Sequence, residues 1–323
     1  MICQVCGNSK GNNELQVSEM MFGFRDKFSY WECSNCGGLQ IAEIPENLGR
    51  YYPPNYYSFE QKNPKKRNLI RYRLGIRRDR FALFGRGFLG RLLYMISPRE
   101  QFRRISKLGI KLNYESKVLD VGCGSGAFLR RLKELGLKEL IGIDPFLPGE
   151  AHDKGLKLLK KTIFDFDDQD NFDFIRFHHT LEHMPDQADV ILKTSKLLSP
   201  TGSCMVSMPV KTKYIWKRYG IHWVSIDAPR HLFVHTIKSF KNLVEKTDLR
   251  IRQIEFDSSI FQFWASEQYK QDIPLFAENS YMKNPNKSIF SENEIFEFET
   301  LTQQLNADGQ GDQATFHLKK TTN

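Results

Sequence analysis

The stretch Asp120-Val121-Gly122-Cys123-Gly124-Ser125-Gly126-Ala127-Phe128 constrains the fold of this chain more than any other. Val118 to Val121 is a short apolar run suited to a buried strand, and Phe128, Leu132 and Leu135 recur at helical spacing beyond it. The glycines between them let the backbone turn sharply and admit a ligand where a Cβ would clash. The next apolar run, Leu140-Ile141-Gly142-Ile143-Asp144, reads as a second strand. Its terminal carboxylate can accept the hydroxyl protons of a ribose, as the acid about 20 positions downstream does in dinucleotide folds.

Glycine spacing separates two classes of ligand. A dinucleotide fingerprint is G-x-G-x-x-G, with a pyrophosphate on the helix N-terminus. Here the pattern is G-x-G-x-G behind Asp120. A carboxylate in that place repels a pyrophosphate and suits a cationic or zwitterionic ligand. The stretch resembles motif I of the class I S-adenosylmethionine-dependent methyltransferases, and Asp144 resembles the ribose-binding acid of their second motif. The resemblance implies S-adenosylmethionine as cofactor, with Asp120, Gly122, Cys123, Gly124, Gly126 and Asp144 around it. Asp165 and Phe166 look like the acidic and aromatic positions beside adenine. Phe172-Asp173 through Thr180-Leu181-Glu182-His183-Met184-Pro185-Asp186 looks like F-D-x-[IV] followed by L-E-H-[VM]-x-D in one subset of the family. Leu197 to Gly202 is similar to L-L-x-P-G-G, with Thr201 departing from glycine. His178 and His179 read as strand-end packing, His179 also standing among the cofactor contacts.

From about residue 113 the elements alternate as a doubly wound sheet requires. Leu156 to Phe166 holds a third strand ending near Asp165, and Phe172 to Phe177 a fourth. A helix over Pro185 to Leu198 leads through a turn at Ser199-Pro200-Thr201-Gly202 into a fifth strand, Cys204 to Met208. Thr236 caps a further helix, and Leu249 to Phe256 and Ala314 to Leu318 complete the set. The expected fold is α/β, a Rossmann-like seven-stranded doubly wound sheet over residues 113–323. An insertion at about 258–312 carries Phe261, Phe263, Trp264 and Tyr269, suited equally to stacking on sugar faces or to the core of a helical cover.

Cys3 and Cys6 form one C-x-x-C pair and Cys33 and Cys36 a second, with 26 residues between the pairs. Such knuckles place four thiolates around zinc at about 2.3 Å and leave no open position, so the implied metal is structural Zn2+ in a ribbon over residues 1–45. Cys123 and Cys204 read as small buried hydrophobes. No apolar run approaches a bilayer-spanning length, and the start lacks signal-peptide features, so the expected location is the cytoplasm.

Residues 46–112 read as a basic amphipathic helical linker. From Lys62 to Lys107 there are 15 Lys or Arg against two acids, a local charge of +13, whereas the whole chain carries +9. The basic character is therefore localised. Cations alternate with apolar residues in helices interrupted near Gly85, Gly87 and Gly90. One reading is a solvated helical linker packed on the catalytic domain; the other is a surface for anionic partners, namely phosphates of a nucleotide-sugar or lipid-linked glycan, nucleic acid or an acidic membrane face, which would make the protein peripheral at the inner membrane.

Methyl transfer needs an aligned acceptor and, for a hydroxyl, a base. His183 and His231 are the candidates, and Arg230 beside His231 is a candidate clamp for an anionic acceptor such as a diphosphate. The layout is similar to methyltransferases of surface-polysaccharide and sugar biosynthesis, which implies a sugar, nucleotide-sugar or lipid-linked glycan methylated at a hydroxyl oxygen. A zinc-ribbon RNA methyltransferase, a sugar C-methyltransferase and a non-enzymatic cofactor-binding scaffold are the alternatives.

Overall fold

A computed structural model describes residues 1–53 and 68–321. They divide into two units, one of Met1–Pro53, His179–Leu192 and Val206–Phe316, the other of residues 68–178, Lys193–Met205 and 317–321. The basic residues Lys62 to Arg67 lie outside the described segments.

The chain opens with three strands, β1 (Asn13–Ser18), β2 (Lys27–Glu32) and β3 (Leu39–Ile41), paired antiparallel in sequence order. Three helices follow: α1 (Leu69–Phe84), α2 (Phe88–Ile96) and α3 (Glu100–Lys107). Asn68 starts α1 by accepting from the amides of Ile70 and Arg71, and Gly85 ends it in the left-handed conformation. Gly90, expected as an interruption, lies inside α2. A Cβ there would sit 2.5 Å from the Arg77 carbonyl oxygen, so glycine is what lets the α1 and α2 backbones touch. Ala82, Leu83, Phe102 and Ile105 are buried in one core with Phe128, Leu129 and Leu132. The helical segment is thus packed structure, reinforced by buried Asp79 pairing with Arg78 at 2.8 Å and Arg131 at 2.7 Å.

Beyond residue 113 come β4 (Lys117–Val121), α4 (Ala127–Leu135), β5 (Glu139–Ile143), β6 (Ala151–Asp153), β7 (Leu156–Leu159), β8 (Phe172–His178) and α5 (Gln187–Leu197). Then follow β9 (Leu198–Pro209), α6 (Lys213–Tyr219), β10 (Phe233–Val234), α7 (Ile237–Val244), β11 (Leu249–Phe256), α8 (Phe261–Lys270), α9 (Glu292–Ala307) and β12 (Gln313–Lys320). The main sheet has the order β11-β12-β9-β8-β4-β5-β7-β6. β4 pairs parallel with both β5 and β8, while β6 is antiparallel to β7, making the sheet mixed. The chain leaves β4 toward β5 and β7 and returns on its other side as β8. Such a switch point is where open α/β sheets bind ligands, beyond the carboxyl ends of the strands.

The α/β doubly wound architecture is as expected, with four local differences. The sheet has eight strands rather than seven, because β6 forms a short edge hairpin with β7. The third strand stops at Leu159. Thr162 and Asp165 form a reciprocal capping box around a short 3-10 turn, which satisfies polar groups that an extended chain would leave to the sheet edge. Helix α5 begins at Gln187, two residues after Pro185. The expected turn at Ser199 to Gly202 is part of β9: Gly202 comes so close to β8 that a Cβ would lie 2.8 Å from the Phe172 carbonyl oxygen.

The amino-terminal strands do not form a sheet alone, because β10 supplies a fourth member through Phe233↔Gln40 and Val234↔Leu39. In the expected insertion Phe263 and Trp264 are buried, and Phe263 stacks on Phe298 of α9 with centroids 5.2 Å apart. These aromatics are helical core. Among the described residues no helix is long and apolar enough to cross a membrane.

Candidate active site

The glycine loop leaves β4 at Val121 and enters α4 at Ala127. Gly122, Gly124 and Gly126 all have positive φ, at 71°, 49° and 71°, a region other residues enter only with strain. The amides of Gly122 and Cys123 donate to the Ile143 carbonyl at 2.8 and 3.1 Å, binding the loop to the end of β5. Asp144 completes it by accepting from the Gly124 amide at 3.1 Å and the Phe146 amide at 2.9 Å. Burial raises the Asp144 carboxyl pKa, opposed by those two amide bonds. Burial also pushes the half-buried Cys123 thiol well up, so it stays neutral. The bent loop and the acid at its edge fit the ribose end of an adenosine ligand.

Asp120 is engaged within the protein. Its carboxylate is 1% exposed and accepts from Arg176 Nη1 at 2.9 Å, the two residues being register partners on β4 and β8. The Arg176 guanidinium also lies 4.1 Å from the centroid of the Phe128 ring. Asp120 therefore meets a buried internal cation, and its charge is answered without a ligand. The sequence held a signal for this, a lone arginine within the apolar run Phe172 to Phe177. Asp165 is exposed, with one carboxylate oxygen accepting from the amide and hydroxyl of Thr162 at 2.7 and 2.8 Å. Phe166 is half-buried, edge-on to Phe172, and its carbonyl accepts from Lys193 at 2.7 Å.

The histidines gather in the other unit. His231 Nδ1 lies 2.8 Å from the Ser225 carbonyl and His183 Nδ1 lies 2.9 Å from the Arg230 carbonyl. A carbonyl only accepts, so both Nδ1 atoms carry a proton, and in the neutral ring the lone pair lies on Nε2. The Tyr52 hydroxyl lies 3.2 Å from His183 Nδ1, and the two imidazoles are T-shaped with centroids 4.7 Å apart. Burial, with the charge His231 would carry, lowers the His183 pKa to about 4, so it is a neutral ring near pH 7. Glu182 is buried beside them; burial works to raise its carboxyl, but His179, His183 and His231 hold it at about 2. His179, at φ +51°, directs Nδ1 toward Glu182 at 3.4 Å while Gln313 meets its Nε2. Glu182, His183 and His231 present ligand atoms within 4.8 Å of one another, a set able to hold a divalent cation as well as a proton.

Arg230 requires a correction. It is fully buried, with Nη2 at 2.6 Å from Asp227 and 2.9 Å from Glu19. The side chain read as an anion clamp is instead a strut beneath His231. Its partner Glu19 lies 211 residues away, beyond the reach of sequence spacing. Tyr30 was also missed: fully buried on β2, it donates to the His231 carbonyl at 2.7 Å. The Leu232 amide donates to the Glu182 carbonyl at 2.8 Å, and the Ile41 amide to the Leu232 carbonyl at 3.0 Å. The amino-terminal sheet thus holds the histidine cluster in place.

Cys3, Cys6, Cys33 and Cys36 converge at the end of that sheet, every Sγ within 4.8 Å of the others. The Cys3–Cys36 and Cys6–Cys33 sulfur separations are 3.6 and 3.5 Å. A tetrahedron with metal–sulfur bonds of about 2.3 Å has edges of roughly 3.8 Å, so these thiols fit a four-coordinate ion. The Gly7 amide donates to the Cys3 carbonyl and the Gly37 amide to the Cys33 carbonyl, both at 2.8 Å, closing each knuckle.

Comparison with known proteins bears on the middle of the chain. The sequence model of one family, described as a methyltransferase domain, matches residues 95–254. A mitochondrial ubiquinone biosynthesis O-methyltransferase from Dictyostelium discoideum is 28% identical over 163 residues, covering 40% of this chain and 51% of that protein. The ubiquinone biosynthesis O-methyltransferase of Erwinia tasmaniensis is 27% identical over 158 residues, covering 44% and 64%. The chain thus spans between about half and two thirds of the length of these curated relatives. Among solved structures, an S-adenosylmethionine dependent methyltransferase from Mesorhizobium loti superposes with a TM-score of 0.44 at 14% identity, over 70% of this chain and 100% of that one. With the glycine loop at the switch point and an acid closing the second strand, residues 95–254 carry a class I S-adenosylmethionine-dependent methyltransferase domain.

Proposed function

We propose that this protein transfers the methyl group of S-adenosylmethionine to a hydroxyl oxygen. The observation that carries the reading is the tautomer of His183 and His231: both are held through Nδ1 by backbone carbonyls, which turns the lone pair of each neutral ring to Nε2. S-adenosylmethionine supplies an electrophilic methyl carbon. What remains for the protein is to hold an acceptor and take its proton. His231 is the base in this reading. Asp227, whose carboxylate lies 3.8 Å from His231 Nε2, would stabilise the imidazolium once formed, and buried Glu182 adds a second negative charge. The glycine loop and Asp144 hold the donor, and the four cysteines hold structural zinc.

For the acceptor we propose a sugar, nucleotide-sugar or lipid-linked glycan hydroxyl, supported by the order of zinc ribbon, catalytic sheet and the loop Pro229-Arg230-His231-Leu232. Arg230 gives no support to a diphosphate, since its charge is already paired. The names of the curated relatives favour a second acceptor, an intermediate of ubiquinone biosynthesis. Incubating the purified chain with methyl-labelled S-adenosylmethionine and nucleotide-sugars, a lipid-linked glycan extract, a hydroxylated quinone precursor and unmodified ribosomal RNA separates these readings. Label in an O-methyl sugar supports the glycan. Label only in the quinone ring oxygen or in RNA replaces it. Activity of His231→Ala equal to the parent would remove the base assignment, and turnover restored to chelated protein by a divalent cation would recast Glu182, His183 and His231 as ligands.

A further inference from the structure

Helix α2 is turned inside out. Its seated side consists of Gly90, against the Arg77 carbonyl, with Leu93 and Tyr94 half-buried beside it. The Tyr94 ring lies 5.9 Å from that of Phe81, and its hydroxyl donates to Glu100 at 2.7 Å. Phe88, Leu89, Leu92, Met95 and Ile96 follow at positions i, i+1, i+4, i+7 and i+8, one continuous stripe. All of them face solvent: Phe88 is 79% exposed, Met95 70% and Ile96 82%. A soluble surface scatters single apolar residues but rarely shows a whole helical stripe of them.

The surrounding charge indicates what covers this stripe. Residues 85–99 contain Arg86, Arg91 and Arg99, all exposed, and no acid. On α1, Arg71, Arg73, Arg77 and Arg80 are exposed, while the one acid, Asp79, is buried and paired. An apolar ridge bordered by Arg86, Arg91 and Arg99, with the neighbouring Glu100 engaged by Tyr94 and Lys107, is complementary to a bilayer whose surface is anionic and whose interior accepts Phe, Met and Ile. A second copy of the same surface would bring like charges together, and a nucleic-acid backbone has nothing to offer Phe88 or Ile96. We propose that α2 is a membrane-docking helix, lying along an anionic lipid surface with Phe88, Leu92 and Ile96 immersed and Arg86, Arg91 and Arg99 at the headgroups. The inference is independent of the acceptor and of methyl transfer.

The test is cosedimentation of the full chain with vesicles of phosphatidylcholine alone or mixed with phosphatidylglycerol, at low and high salt. Binding is expected to the mixed vesicles and to weaken with salt. A Phe88→Ser/Met95→Ser/Ile96→Ser variant should lose at least about tenfold in partition. Arg86→Gln/Arg91→Gln should lose about 25-fold, since one cation near an anionic surface is worth roughly a fivefold change. These side chains are exposed, and an unchanged melting curve confirms that the variants fold. Hydrogen exchange on the unaltered protein supplies a second readout, with residues 86–99 expected to slow when mixed vesicles are added. Equal binding to both vesicle types, no protection of α2, or self-association abolished by the serine variant would each overturn the proposal. So would RNA binding that the serine variant retains while vesicles are ignored.

Discussion

Replacing Arg230 with Met tests whether this residue supports the histidine loop or holds an anion. The guanidinium is fully buried and pairs with Asp227 through Nε at 3.0 Å and Nη2 at 2.6 Å, and with Glu19 at 2.9 Å, while its plane lies over the Phe22 ring. Methionine fills much of the same volume but leaves two carboxylates without their cation. Glu19 keeps the amides of Phe22 and Phe24, at 3.0 Å each, so it does not lose every partner. Removing one member of a buried charge network costs about 3–5 kcal/mol. At roughly 2–4 °C per kcal/mol, that lowers the melting transition by about 6–20 °C. The effect carries a pH signature. Burial raises the Asp227 carboxyl pKa, but Arg230 outweighs it and the folded pKa lies below the ordinary value. Stabilisation is therefore full above about pH 4 and fades as pH falls through the depressed folded pKa. The difference in melting between parent and Arg230→Met should be constant from neutral pH to about 5 and shrink in stronger acid. A Glu19→Gln/Arg230→Met double-mutant cycle should show coupling. An unchanged melting temperature with a raised KM for an anionic acceptor would refute the strut and restore the clamp.

Other expectations follow from the same geometry. His231→Ala should lower turnover by about two to four decades while calorimetry still shows cofactor affinity equal to the parent. If His183 is the base instead, activity should fall as pH drops through about 4, where its depressed pKa lets it take a proton, with no loss between pH 5 and 7. Asp144→Ala removes the carboxylate that holds the Gly124 amide, so S-adenosylmethionine affinity measured by calorimetry should fall at least about tenfold. Metal analysis should find one zinc per chain. Cys33→Ser should lose it and depress turnover more than cofactor affinity, because Tyr30 of the attached sheet holds the His231 carbonyl.

Much of the methyltransferase domain was legible because its signals are local. The strands around Val118 and Ile141 announce themselves as apolar runs, and the Gly122 to Gly126 turn is marked by its residue type. Thr236 caps α7 as its sequence indicates, with Ser239 completing the box. Less legible were places where two local rules compete. Thr162 and Asp165 end a strand that the apolar pattern would have prolonged, and Pro200 reads as a turn although β9 runs straight through it. The exposed ridge of α2 is illegible for a different reason: its periodicity marks a helix, but periodicity does not say which side faces the core.

The sequence alone determines the order of elements, the glycine loop with its following acid, and the two cysteine knuckles, since each depends on backbone geometry or ligand spacing within a short segment. Tertiary structure decided which charges are free. Asp120 and Arg230 are polar residues in functional motifs, and only the fold brings them Arg176 from the neighbouring strand and Glu19 from 211 residues away. A buried charge must find a counter-charge, and partners across a sheet or between distant loops have no sequence period to betray them. The same holds for the proton on His231, which lies on Nδ1 because the Ser225 carbonyl happens to face that atom.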